Sequence, residues 1–103
     1  MHISTVKNKD NSYEIYFEEL DSWDEFDLIL KKIVSENDCR IVKEIDMITD
    51  KDVVLKLGKI PFILRNHYMF GNYIYSTKGK HIKALEELAQ NVIESIKLDF
   101  ENK

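Results

Sequence analysis

A chain of 103 residues that is 44% hydrophobic and 33% charged, with three Gly and one Pro, has the size and balance of one globular domain around a single modest core. That composition excludes a disordered or fibrous chain, and the lone Cys39 excludes both a stapled secreted scaffold and a cysteine-based four-ligand zinc site. The net charge of -4 is regional: residues 1 to 30 hold eight acids against Lys7 and Lys9, a net of -6, whereas residues 31 to 103 hold eleven acids against thirteen Lys and Arg, a net of +2. A patch of one sign focuses potential and favours a basic partner over a nucleic acid.

No apolar run approaches the length that crosses a bilayer, and Met1-His2-Ile3-Ser4 lacks the charged and then apolar segments of a signal peptide. A soluble, unprocessed chain is expected, and the single free cysteine fits the reducing cytoplasm.

In chain order, Ile3 to Val6 reads as a short strand, followed by the polar turn Lys7 to Asn11. Tyr13, Ile15 and Phe17 alternate with Glu14 and Glu18, the pattern of a half-buried strand, although Tyr16 and Leu20 break its polar side. At Ser22 the period changes. Ser22 caps a helix with Glu25 three residues on as its capping-box partner, and Leu20 stands before it as a staple. Trp23, Phe26, Ile29, Leu30, Ile33 and Val34 then recur at three and four, with Trp23 as the first core anchor, and acids precede lysines as the helix dipole favours.

Cys39 to Ile48 alternates again, with Cys39, Ile41, Ile45 and Met47 on one side and Lys43 as a misfit. The polar turn Thr49 to Asp52 leads into a strand over Val53 to Leu57, and Gly58-Lys59 has the composition of a two-residue type II′ hairpin loop. The densest β signal comes next. Ile60 to Leu64 is a continuous apolar run, the polar break Arg65-Asn66-His67 follows, and Gly71 to Tyr75 is aromatic and β-branched. A closing helix from about His81 to Asp99 carries Ile82, Leu85, Ala89, Val92 and Ile96 on one face.

These elements predict a single α+β domain over 1–103, a βαβββα-type sandwich in which a four- or five-stranded antiparallel sheet carries two helices packed on one face and leaves the other face open. Trp23, Phe26, Leu30, Leu85, Ala89 and Val92 are expected in one core.

No motif with catalytic spacing accompanies this fold, so neither enzymatic activity nor a cofactor or metal is expected. His67 and His81 are not brought together by their spacing and read as strand-end and helix-start residues. Asp46, Asp50 and Asp52 lack the Gly and distal Glu of a calcium loop and read as turn residues. Lys78-Gly79-Lys80-His81 beside aromatic strands has the outline of a base-stacking sheet, but no ribonucleoprotein-type motif supports it. Cys39 reads as a small buried hydrophobe.

Ile60-Pro61-Phe62-Ile63-Leu64, a polar turn, Met69-Phe70-Gly71-Asn72-Tyr73-Ile74-Tyr75 and a closing helix together resemble the C-terminal half of small bacterial immunity proteins that neutralise toxins of the contact-dependent inhibition type. The resemblance implies a role rather than a set of catalytic residues: a cytoplasmic protein that binds a cognate toxin domain, often a basic nuclease, and blocks its active site or substrate groove. The residues expected to meet such a partner are the acids Glu18, Asp21, Asp24, Glu25 and Asp27, which steer association, and the rings of Tyr68, Tyr73 and Tyr75, which anchor it. The first alternative is a small structural or adaptor domain that forms a homodimer through its open sheet face, and behind it stands a small nuclease, resting only on the scattered His2, His67 and His81, or an RNA-binding module.

Overall fold

Every segment with alternating or β-branched side chains forms a strand, and both segments with an apolar period of three and four form helices. The computed structural model describes residues 1–102. In chain order they build β1 (His2–Lys7), β2 (Tyr13–Glu18), α1 (Trp23–Glu36), β3 (Cys39–Asp46), β4 (Lys51–Leu57), β5 (Ile60–His67), β6 (Gly71–Ser76) and, after a single 3-10 turn at Gly79–His81, α2 (Ile82–Glu101).

The strands join one antiparallel sheet in the order β1-β2-β6-β5-β4-β3. This is a six-stranded ββαββββα arrangement, where the periodicities predicted four or five strands in a βαβββα order. The difference arises because β1 and β3 are both kept, each as an edge, after α1 carries the chain from β2 across to the far side of the sheet. Among the described residues no helix is long and apolar enough to cross a membrane.

Both helices lie on one face, as the period of their apolar residues predicts. Phe26, Ile29 and Ile33 of α1 and Leu85, Leu88, Ala89, Val92, Ile93 and Ile96 of α2 share one buried cluster with Ile15, Phe17, Val53, Leu55, Phe62, Leu64 and Ile74 of the sheet. Trp23 does not join them. It is half exposed, with its ring edge-on to Phe26 at 6.1 Å, because the first residue after the cap lies at the end of the helix and Phe26, one turn on, takes the core position. Leu30 is half-buried and packs against the cluster.

Two local details explain the strand pattern. Gly58 has φ +61° while Lys59 keeps a negative φ, and Leu57 pairs with Ile60 across the loop, which fits the type II′ turn predicted for Gly58-Lys59. In β3 the register to β4 slips between Ile41 and Lys43, a bulge at Val42. The slip puts Ile41 beside Leu55 and Ile45 beside Asp52, so these two isoleucines face opposite sides of the sheet and Lys43 ceases to be a misfit.

Candidate functional site

The acidic segment begins where β2 ends. Glu19 adopts φ +71°, Leu20 turns back into the core, and Ser22 caps α1. The capping box is complete: the Glu25 N–H donates to Ser22 Oγ at 3.2 Å and the Ser22 N–H donates to Glu25 Oε1 at 3.1 Å. Glu25 is therefore committed to the helix end, and Glu19 is committed to the N-terminal amine at 2.9 Å. Glu18, Asp21, Asp24 and Asp27 make no ion pair among the described residues, and Asp24 and Asp27 stand exposed on the first turns of α1.

The β5–β6 connection reaches the same region from the other side. Arg65, Asn66 and His67, read from sequence as a polar break, lie within β5, and the turn is Tyr68, Met69 and Phe70. Each of the three strand residues has a partner that holds it there. Arg65 donates to Asp52 through Nε at 2.7 Å and Nη2 at 2.9 Å, Asn66 donates to Asn72 at 2.6 Å, and His67 Nδ1 accepts from the Met69 and Phe70 N–H groups at 3.1 and 3.3 Å. The imidazole also stacks on Tyr68 and Phe70, with centroids at 5.0 and 4.6 Å. His67 thus builds the turn, and the Tyr68 N–H is tied to Asp50 at 3.1 Å.

Between this turn and the open face of β1 and β2 lies a groove of about 540 Å³. Val6 and Tyr16 line its strand side, Tyr68, Met69 and Phe70 its turn side, and Glu18 and Asp21 supply its carboxylates. Asp21 fits against Gly71 only because that residue lacks a side chain, since a Cβ there would stand 2.5 Å from Asp21 Oδ1. Burial, then Glu18, Glu25 and Glu19, hold the Asp21 carboxyl above the usual aspartate value. The groove is negative.

The structure brings together Glu18, Asp21 and Tyr68 in this groove and leaves Tyr73 and Tyr75 outside its lining. Tyr73 is only 3% exposed, so it does not offer a partner the free ring surface expected of it. The reason is local packing: Tyr73 sits 4.9 Å from Tyr16, its hydroxyl accepts from Arg65 Nη1 at 3.4 Å, and the Arg65 guanidinium lies 5.8 Å from its centroid and 5.3 Å from that of Tyr75. Asp52 holds the Arg65 guanidinium above its ordinary range, against the opposing effect of burial. Tyr75 is half-buried and borders a smaller hollow with Val54, Pro61 and Ile63.

Tyr16, Met69 and Phe70 are site residues that sequence reasoning missed. Tyr16 had left one signal, an aromatic residue on the polar side of an alternating strand. The three aspartates near residue 50 have separate partners, Lys51 for Asp46, the Tyr68 N–H for Asp50 and Arg65 for Asp52. Among the described residues no three or more His, Cys, Asp or Glu converge in a way that could hold a metal ion. Burial, helped by Asp38, pushes the Cys39 thiol up to about 11.

Burial, then Glu14 and Tyr73, also pushes the Tyr16 hydroxyl from the ordinary 10 up to about 12. The fold therefore favours the neutral phenol, and the stability this gives is complete below pH 10 and is lost as pH rises towards 12. Thermal denaturation across this window should show the wild type losing more stability than Tyr16→Phe; parallel curves would remove Tyr16 from the account. Compared with protein-family models, curated proteins and solved structures, the chain gives no match.

Proposed function

We propose that this protein is a binding module of the immunity type, acting in the cytoplasm, which captures a basic toxin domain through the acidic end formed by β2, the start of α1 and the β5–β6 turn. The observation that carries the reading is the distribution of charge compensation. Five acids elsewhere meet cations of their own chain, Glu36 and Asp99 at Lys32, Glu44 and Asp46 at Lys51, and Asp52 at Arg65, and those that do not, such as Asp38, Glu87 and Glu94, are dispersed over residues 31 to 103, where Lys and Arg outnumber acids, whereas no Lys or Arg occurs between residues 10 and 30. Glu18, Asp21, Asp24 and Asp27 meet no cation among the described residues, so the field at this end is left for a partner. The resemblance of Ile60 to Tyr75 and the closing helix to small immunity proteins supplies the toxin class.

Binding kinetics against a cognate basic toxin domain, sought in the product of an adjacent gene, test it. The association rate should fall as salt shortens the Debye length from about 10 Å at 0.1 M to about 3 Å at 1 M. Asp24→Lys/Asp27→Lys should slow association about ten-fold at low salt and leave dissociation nearly unchanged. Equal association rates for variant and wild type would reduce these acids to a solvated helix face. The second reading, a dimer through the open sheet face, rests on the hollow beside Val54, Ile63 and Tyr75, and sedimentation of the free protein decides it.

A further inference from the structure

We propose that the groove between β1–β2 and the Tyr68–Gly71 turn is a receptor for one cationic side chain, lysine or arginine, inserted from the surface of a protein partner; this deepens the binding-module reading and rests on it.

The groove has room for an organic side chain. A volume of about 540 Å³ falls in the range of about 300 to 1,000 Å³ typical of organic ligand sites and is far larger than a bare metal ion needs. The walls choose the charge. Tyr16, Tyr68 and Phe70 line it with aromatic surface of the kind that attracts cations, although His67 stacks on one face of Tyr68 and of Phe70, and Glu18 and Asp21 add carboxylates with no cation of their own. Asp21 is drawn in rather than swung away because Gly71 leaves the space for it. An alkyl stem ending in an ammonium or guanidinium satisfies both kinds of wall, with its methylenes on the rings and its charge on the carboxylates.

The rim identifies the cation as part of a protein. Val6, Tyr68, Met69 and Phe70 are 43%, 67%, 66% and 59% exposed, an apolar and aromatic border around a charged centre. That is the layout of an interface anchor, in which the ring of contacts excludes water from a central charge. A free amine metabolite would fill the centre and leave the border uncovered.

The experiment is a titration of the isotopically labelled protein with three short capped peptides, Gly-Arg-Gly, Gly-Lys-Gly and Gly-norleucine-Gly, and with choline and spermidine, followed by amide chemical shifts. Arginine or lysine peptide should move the amides of Tyr16, Glu18, Asp21, Phe70 and Gly71 and saturate with Kd of about 10 mM or tighter, while the norleucine peptide leaves them in place. The near-isosteric pair Glu18→Gln/Asp21→Asn should weaken binding at least ten-fold, with the rest of the spectrum showing an intact fold. Equal binding of the norleucine peptide, shifts scattered over other acidic surfaces, or no effect of the pair would overturn the proposal. Tighter binding of choline or spermidine than of either peptide would also overturn it, in favour of a small-molecule site.

These peptides need no toxin, so the two readings fail separately. If the peptides do not bind but Asp24→Lys/Asp27→Lys still slows toxin association, the module stands and the receptor groove falls.

Discussion

Leu85→Ala should lower the free energy of unfolding by about 2 to 5 kcal/mol. Leu85 is fully buried in the first turn of α2, in the cluster that joins both helices to the sheet. Its truncation removes apolar atoms from contact and leaves a cavity that the neighbouring strand residues, fixed by their ladder, can fill only in part. For a domain whose total stability is about 5 to 15 kcal/mol, the loss is a large share, and the melting temperature should fall by about 10 °C or more. Urea denaturation measures it. Glu87→Ala, on the exposed face of the same helix, should stay within about 0.5 kcal/mol of wild type and serves as the control. A Leu85→Ala change under about 1 kcal/mol would mean that α2 does not seal this core.

That prediction was available from the sequence, and the reason shows what sequence can reveal. Leu85, Ala89, Val92 and Ile96 declare their face by spacing within a single helix, and Ser22 and Glu25 declare a helix start because both bonds of the cap run between residues three apart. Such signals are local, and so is the Gly58-Lys59 loop. The polar end of β5 was illegible for the opposite reason. Arg65, Asn66 and His67 have a turn's composition, and what keeps them extended is Asp52 on β4 and Asn72 on β6, partners fixed only once the strands pair.

The candidate site divides along the same line. Its acidic half was legible because the acids cluster in sequence between residues 10 and 27. Its aromatic half was not, since Tyr16 shares a strand face with Glu18 but meets the turn only through the pairing of β2 with β6, and Phe70 meets the site only through the way His67 folds the turn. The same non-local register removes Tyr73 from the surface by placing it across from Tyr16 and beside Arg65.

Asn72→Ala should cost about 2 to 4 kcal/mol, and it should also loosen the groove. Asn72 is 1% exposed, and its side-chain amide donates to the Leu20 carbonyl at 2.7 Å and to the Ser22 carbonyl at 3.0 Å while its Oδ1 accepts from Asn66. Those two carbonyls bracket Asp21, so one side chain from β6 clamps the backbone that carries the groove's carboxylate. Alanine strands the buried Leu20 carbonyl and the Asn66 amide without partners, whereas the Ser22 carbonyl keeps the Phe26 N–H at 2.9 Å. Asn72→Asp separates the clamp from simple packing, because it keeps the shape and the acceptor for Asn66 but points a carboxylate at two carbonyl oxygens. Its deprotonated form is disfavoured in the fold, which raises the folded-state pKa above the unfolded one. The deficit of Asn72→Asp relative to wild type should therefore be largest at pH 7 and shrink as pH falls through the folded and then the unfolded value, where the protonated acid can donate to one carbonyl. Urea denaturation of both variants at pH 7 and at about pH 4 checks this; a deficit that is the same at both, or an Asn72→Ala change under about 1 kcal/mol, would show that the Leu20 to Ser22 segment is held by something other than Asn72.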